Sequence, residues 1–507
     1  MLQSLTLLLI VTSLLSAQTV LGTFTGRVQD PSGAAIPAAA IVATNSSTGL
    51  TYKTASNSTG AWSLQQLSLG IYEIAVQAKG FRRAVQKNLE LSVAQTRAID
   101  FSLEIGQVDQ TVEVSGTATE LQTATSDLGT TIQRKKLMDL PLFVGGNVRN
   151  LEQFIFLAPG VTGDSTNTQI SGSPSRAKEV LLDGIASTGI ESGGVIPGNT
   201  RPSVETIGEF RLLRANFNAE YGRTGGGIQI FTTRSGTNTF HGALFDYLRN
   251  DKLDARGFFQ RVRPINRQNE FGATLGGPVV IPRLYNGKNK TFFHFVYSGF
   301  RFRQGAPNTL QSLIPADFRQ GDFGRLSTPI YDRSTGQPFP GNRIPASRIS
   351  SVARNILPLL PSPVNTDLFN NYISVGRAAA NSNQYNLKLD HAFSDRNRVN
   401  GFFNRDYLLQ SDAETISGPT TPGRATGSQN TIARASHDFI LSPTVLNHLN
   451  LGFTRYRVTI DSFTLNQDWP GKLGLRGVND GANNGFPCVE FVSAGYSRLG
   501  EIGRAHV

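Results

Sequence analysis

Tyr385, Leu387, Leu389, His391 and Phe393 alternate with Asn386, Lys388, Asp390 and Ala392, and a short turn at Ser394–Asn397 leads into another strand. HDFILSPTVLNHLNLGFTRYR repeats the design: Leu449, Leu451 and Phe453 face one way, Asn450, Gly452 and Thr454 the other. A period of two predicts strands. Roughly seven strands of about ten residues are expected after residue 238, with aromatics such as Phe393 at strand ends. The stretch 304–380, rich in Pro, Gly, Asn and Arg, reads as a long loop. Such alternation suits a transmembrane barrel, and equally a soluble antiparallel sandwich; periodicity alone does not separate them.

Earlier in the chain the strands are shorter. Strands are predicted at Thr23–Gln29 and Ala39–Thr44, with a turn at Asp30–Gly33 between them. Farther on, Tyr72, Ile74 and Val76 fall on one face and Ile71, Glu73 and Ala75 on the other. Short strands punctuated every 8–12 residues by Asp-Pro, Asn-Ser and Gly predict a small all-β sandwich over 22–104. Residues 105–118 are polar and extended, with an alternating piece at Thr111–Val114. Over 119–236 the signals are mixed. Leu151, Phe154, Ile155 and Ala158 recur at helical spacing until Pro159-Gly160 stops them. Strands are predicted at Glu179–Leu182, Phe210–Leu213 and Ile228–Thr232.

Composition narrows the class. The chain has 507 residues, 52 Gly, 31 Phe and only 17% charged residues, a mix that favours turn-rich β structure. Residues 1–17 carry an apolar run from Leu5 to Leu15 ending in small residues, and read as a secretory signal. No Lys or Arg precedes the run, which leaves a start further upstream as an alternative. Cys488 is the sole cysteine, so no intrachain disulfide forms. The net charge of +11 is scattered through turns and strands. Without a basic run or a nucleic-acid motif, it argues for loops, lumen positions or lipopolysaccharide phosphates as partners rather than nucleic acid.

Three groups of residues resemble known families. GRVQDPSGAAIPAAAI, STGAWSLQQLSLGIYEIAV and KGFRRAV resemble the carboxypeptidase regulatory-like, transthyretin-like sandwich, a non-catalytic module. LPL with LAPGV, VLLDGI, VETIGEFRLL and EYGRTGGGIQIFTTRSGTN resemble the plug of TonB-dependent outer-membrane receptors. FHGALFDYLRNDKLDARGFF, FGATLGGPVVIPRLYNGKNKTFFHFVYSGFR and NQYNLKLDHAF resemble the opening barrel strands of Oar-like members, which carry the same sandwich ahead of the plug. The resemblance implies a mainly β chain. A signal at 1–17 precedes a sandwich at 22–104, a linker at 105–118, an α/β plug at 119–236 and part of an antiparallel barrel at 237–500. Such barrels close with 22 strands, so the chain is expected to be a fragment. EIGRAHV, residues 501–507, corresponds to read-through of a common sequencing-library adapter and is expected to be foreign.

The resemblance also assigns roles. In this family a short extended segment ahead of the plug pairs with TonB, the periplasmic energy-coupling protein, by strand addition. Asp109, Gln110, Thr111, Val112, Glu113 and Val114 form the candidate box; a plain linker is the other reading. The implied function is uptake of an unidentified ligand across the outer membrane of a Gram-negative bacterium, with sandwich and plug on the periplasmic side. The alternative is a surface adhesin or secretion-related protein using the sandwich as a binding module. A hydrolase lacks support: no His has a Glu three residues on, and no nucleophile–base or metal arrangement is present, so no cofactor or metal is expected. The glycines of EYGRTGGGIQI have the spacing of a phosphate loop, but Ile228 and Gln229 stand where Lys and Ser or Thr are required. Glu220, Tyr221, Gly222, Gly225, Gly226 and Gly227 are read instead as a plug–barrel junction, with glycine allowing close backbone approach and unusual φ.

Overall fold

A computed structural model describes residues 21–106, 111–113, 127–139, 149, 151–164, 167–187, 202–218, 220–258, 263–305, 310–374, 376–442, 445–477, 484–491, 494–501 and 505–506. The candidate signal at 1–17 lies outside them. The architecture is mainly β: a sandwich, a small mixed-sheet unit and a large antiparallel sheet.

The sandwich comprises β1 (Gly22–Gln29), β2 (Ala40–Asn45), β3 (Thr51–Ala55), β4 (Ala61–Leu67), β5 (Gly70–Gln77), β6 (Arg83–Leu91), β7 (Thr96–Ala98) and β8 (Phe101–Ser102). One sheet runs β4-β1-β7, with β8 also on β1; the other runs β3-β2-β5-β6. Alternation decides the facing. Tyr72, Ile74 and Val76 are buried, while Ile71 is exposed on the other face. Phe24 meets Tyr72 edge-on at 5.5 Å between ring centroids, within a core that includes Ile41, Leu67 and Leu89. The second sheet gains a further strand, β9 (Thr111–Glu113), paired parallel to Arg83–Val85 on β6.

The next unit is a five-stranded sheet in the order β10-β15-β16-β13-β14. It is built from β10 (Leu128–Gln133), β13 (Lys178–Leu182), β14 (Ile185–Ala186), β15 (Ile207–Ala215) and β16 (Gly227–Thr233); β11 (Val161–Thr162) and β12 (Gln169–Ile170) form a separate hairpin. A short α-helix spans Arg134–Asp139. Leu151–Leu157 is helical as expected, but its turns are 3₁₀. Phe154, Ile155 and Ala158 are buried. Pro159 and the left-handed Gly160 (φ 78°) end the segment before an α-helix can extend.

Seven long strands follow: β17 (His241–Asn250), β18 (Asn266–Pro278), β21 (Thr291–Gly305), β24 (Arg377–Ser394), β25 (Asn397–Ser411), β26 (Arg424–Ser442) and β27 (Val445–Ser462). With β28 (Ala505–His506) they form an eight-stranded antiparallel meander that does not close on itself. The connections alternate in length. At one end the connections are short: β19 (Val280–Ile281) with β20 (Tyr285–Asn286), then residues 395–396, and β27 begins at Val445 soon after β26 ends at Ser442. At the other they are long: 306–376, which contains β22 (Leu310–Gln311) and β23 (Tyr372–Ile373), then 412–423 and the chain after 462. These long segments share a core of Leu313, Leu360, Tyr372, Ile416, Leu473 and Phe486. Most of the strands are longer than the ten residues expected, reaching 19 in β26. About ten tilted residues cross a bilayer, so the excess carries the sheet toward the loops.

On β24 and β25 the two faces have largely inverted polarity, whereas β21 buries Phe292, Val296, Phe300 and Phe302. On β24 the apolar Tyr385, Leu389 and Phe393 are exposed, at 43%, 46% and 64%. Ser382, Gln384 and Asn386, on the opposite face of the strand, are buried. The same holds on β25, where Phe403 and Leu409 are exposed while Asn404 and Asp406 are buried. A soluble sandwich buries its apolar set. A barrel in lipid faces that set outward and encloses the polar one, so burial separates two readings that periodicity left open.

Leu389 sits midway between Tyr385 and Phe393 on the outward face. Leu389→Arg is expected to destabilise the protein in lipid vesicles by about 2–4 kcal/mol, read by urea unfolding. A neutral effect would mean that this face meets water.

Candidate coupling site at the plug base

The sandwich packs against the short-turn end of the large sheet. Lys53 Nζ lies 2.6 Å from Asp395 Oδ2 in the β24–β25 turn. Arg398 donates to the Thr51 carbonyl at 2.7 Å and stacks over Tyr52, 3.6 Å from the ring centroid. Asn238, just before β17, donates to the Thr48 carbonyl at 2.7 Å and to Asn289 Oδ1 at 2.6 Å. A cavity of about 330 Å³ remains where the three units meet, lined by Tyr52, Glu209, Arg234, Lys388 and Arg398 among others.

Arg211 on β15 ties the units together. Its guanidinium is buried and donates to Asp127 Oδ2 at 2.5 Å, immediately before β10. The same group donates to the carbonyls of Val93 and Ala94 in the sandwich turn after β6, at 3.0 and 2.7 Å. Glu209 Oε2 accepts the Val93 N–H at 2.8 Å. Val93 also joins the apolar cluster of Leu181, Leu213, Tyr221, Ile228 and Ile230. Burial lifts the Glu209 carboxyl from its ordinary 4.5 to about 7; the Val93 N–H and Arg211 pull it down, and Glu90 pushes it up. Burial likewise pulls the Arg211 guanidinium down against the pull of Asp127.

A second buried network joins the plug unit to the large sheet. Arg149 bonds Glu270 on β18 at 3.0 Å and Glu205 at 3.2 Å, and lies 3.9 Å over the Tyr247 ring on β17. Arg134 completes it at 3.0 Å from Glu205. Lys388 on β24 donates to the Thr233 carbonyl at 3.1 Å, and Asn450 on β27 to the Asp183 carbonyl at 3.2 Å. Phe402 and Ile432 from the large sheet enter the core formed by Phe154, Ile155, Val180 and Phe210.

The structure distributes the sequence candidates unevenly. Thr111, Val112 and Glu113 form β9; Asp109, Gln110 and Val114 lie outside the described residues. Gly226 and Gly227 permit close approach. A Cβ on Gly226 would lie 1.9 Å from the Ala177 carbonyl oxygen, and one on Gly227 2.9 Å from that of Leu213. Gly222 and Gly225 face open space, so that argument does not extend to them. None of the four has positive φ; Arg223 takes the left-handed conformation instead, at φ 65°. The unusual φ expected of the glycines therefore falls on their neighbour. Tyr221 is buried, and Glu220 lies beside it. Sequence reasoning missed Arg149, Arg211, Glu205 and Glu270. Their signal was weak: charged residues without periodicity, as in GGNVRN, RQNEF and EFRLL. Among the described residues no three His, Cys, Asp or Glu side chains converge as metal ligands.

Residues 232–505 match the outer membrane beta barrel domain, and residues 23–104 the carboxypeptidase regulatory-like domain. The TonB-dependent transporter Oar of Myxococcus xanthus is 28% identical over 266 residues, 49% of this chain and 24% of that protein. The chain thus spans about a quarter of that relative's length. Among solved structures, the outer membrane transporter YddB of Escherichia coli aligns at 12% identity and a TM-score of 0.40, covering 75% of this chain and 43% of that one. The siderophore receptor PirA of Acinetobacter baumannii aligns at 15% and 0.34, covering 66% and 44%.

Two outcomes follow. Arg211→Ala strands Asp127 in the interior and is expected to cost about 3–5 kcal/mol of unfolding free energy. For Glu209 the folded pKa is raised. Its stabilising share is complete below about 4.5 and is lost as pH rises through about 7. Glu209→Gln keeps the acceptor for Val93 and is expected to flatten the unfolding midpoint across that window; an unchanged slope would place the titration elsewhere.

The matched domain covers more than half of the sequence, and the chain belongs to the outer membrane beta barrel domain family, as an Oar-like homologue with an N-terminal carboxypeptidase regulatory-like domain in the outer membrane of a Gram-negative cell.

Proposed function

We propose that the chain is the energy-coupled entry portion of a TonB-dependent transporter. A ligand binds among the long loops, and TonB pulls on residues 109–114 from the periplasm. The observation that carries this reading is the position of β9. Thr111–Glu113 is an extended strand at the outer edge of a sheet, one side paired to β6 and the other without a partner strand among the described residues. A free edge presents main-chain donors and acceptors for a further strand, which is the mode of recognition that tolerates varied side chains.

The path of force supports it. From β9 the chain runs to Asp127, held by Arg211, and then into β10, an edge strand of the plug sheet. Tension from the N-terminal side first meets the three-residue pairing of β9. It next meets the Asp127–Arg211 ion pair, then peels β10 from β15 one bonded pair at a time. Release of Arg211 also frees Val93 and Ala94, which couples plug movement to departure of the sandwich from the mouth. The ligand is unidentified, and no cofactor is needed. An adhesin using the sandwich would require that domain outside the cell, whereas it packs on the short-turn end, the periplasmic end of such barrels.

Deleting Asp109–Val114 is expected to abolish uptake while surface display of the loops persists. Val112→Pro removes one donor and is expected to weaken capture of purified TonB at least tenfold, about 1.4 kcal/mol. Unchanged function after the deletion would favour the adhesin or secretion reading.

A further inference from the structure

The cavity between the sandwich, the plug sheet and the large sheet holds about 330 Å³. Leu21, the residue immediately before β1, lines it together with Ser68, Glu209, Arg234 and Asp390. Gly22 stands opposite Leu67 on β4, Thr23 stands opposite Thr96 on β7, and the Thr23 N–H donates to the Gln95 carbonyl at 2.8 Å. The chain therefore enters β1 between β4 and the turn whose Val93 and Ala94 are held by Arg211 of the plug. Traced backward from Gly22, it reaches the cavity at Leu21.

Four carboxylates line the cavity among the described residues, and three have close partners. Glu209 accepts the Val93 N–H at 2.8 Å. Asp183 accepts from the Thr233 N–H at 2.8 Å and from its hydroxyl at 2.6 Å. Asp438 is bonded to His448 Nδ1 at 2.5 Å. Asp390, on the inward side of β24, differs: its Oδ2 is buried without a hydrogen-bond partner. Ser235 and Lys388 are its polar neighbours. Lys388, however, donates to the Thr233 carbonyl at 3.1 Å and lies 3.9 Å from Asp183. Arg398 is likewise engaged, with the Thr51 and Asp395 carbonyls and over the Tyr52 ring. An acceptor enclosed in this way is costly until a donor reaches it, above all a charged one.

Residues 1–17 read as a secretory signal, and its removal makes Gln18 the first residue, three positions before Leu21. Three extended residues span at most about 10 Å, enough to cross a cavity of this volume. Its walls are mixed: Leu50, Leu69 and Phe292 are apolar, and Gln66 turns in a side-chain oxygen that has no partner. We infer that the mature N-terminus, residues 18–20, fills this cavity and that the α-ammonium of Gln18 pairs with Asp390 Oδ2. Val20 then meets the apolar wall, and cleavage of the signal creates the cation that fastens the sandwich to the large sheet. The precursor lacks that cation and would have to lead residues 1–17 through the same seam. The inference concerns how the units lock together and needs neither TonB nor a ligand, so it stands or falls independently of the proposed function.

The test uses the mature full chain purified from outer membranes in detergent. Brief acetylation with an N-hydroxysuccinimide ester is read by mass spectrometry of the N-terminal peptide. The exposed Lys79 serves as the internal standard, and Lys178, buried in the plug, reports in the same digest that the protein is folded. Relative to Lys79, the Gln18 amine is expected to react at least about tenfold more slowly in the folded protein than after denaturation, because a buried, paired ammonium must first give up its proton. Asp390→Asn keeps the size of the side chain and is expected to restore most of that reactivity while Lys178 stays protected; Asp390→Glu is expected to keep part of the protection. A Gln18 amine that reacts alike in the folded and denatured protein would overturn the inference, as would protection that survives Asp390→Asn. So would a first residue other than Gln18, or a Gln18 already cyclised to pyroglutamate with loss of ammonia, since neither supplies the ammonium.

Discussion

Hydrocarbon offers no hydrogen-bond partner, and that constraint organises the molecule. A backbone crossing a bilayer must satisfy its own donors and acceptors, which strands achieve by pairing. Side chains then divide by parity. Leu387, Leu389 and Phe393 take the lipid side, and Ser382, Gln384, Asn386 and Lys388 take the inside. The interior so produced is polar and needs partners of its own. The plug supplies some of them: Asp183 and Thr233 accept from Asn450 and Lys388, and Ser187 Oγ accepts from Arg434 at 2.7 Å.

Buried ions set how firmly the pieces hold. Arg149 pairs with Glu205 and Glu270, and Arg211 with Asp127 and the Val93–Ala94 carbonyls, in the docked arrangement; Arg211 Nε alone of these donors has no partner among the described residues. Desolvating such groups offsets much of their attraction, so they add little net stability while their removal one at a time is costly. That asymmetry favours the fully docked arrangement over a half-docked one. Glu209 adds a proton-linked element to the same joint, facing Glu90 across the sandwich–plug boundary with Arg211 beside it on β15.

Periodic features were legible in the sequence, and solitary ones were not. Tyr72, Ile74 and Val76 announced the sandwich core, and the alternation around Tyr385–Phe393 announced β24, because a period of two repeats over many residues. Whether that alternation faced lipid or a core required burial to decide. Leu151–Leu157 gave helical spacing, but spacing does not distinguish α from 3₁₀ turns when Pro159 follows so closely. Ile228 and Gln229 set the glycine cluster apart from a phosphate loop in the sequence. Its need for close approach rests on two glycines alone, Gly226 and Gly227. Arg149 and Arg211 left no periodic trace: each acts through partners far away in the chain, such as Glu270 and Val93, which only the fold brings together.

Sidedness is the claim on which the rest depends: loops outside, sandwich within the periplasm. Cys488 is exposed among the loop-end segments and is the only cysteine in the sequence, so it serves as a native reporter. A membrane-impermeant maleimide applied to intact cells is predicted to label Cys488. With Cys488→Ser and Ser32→Cys, which moves the thiol to an exposed turn of the sandwich, labelling is predicted only after the outer membrane is permeabilised. Labelling of the Ser32→Cys thiol on intact cells would contradict the account.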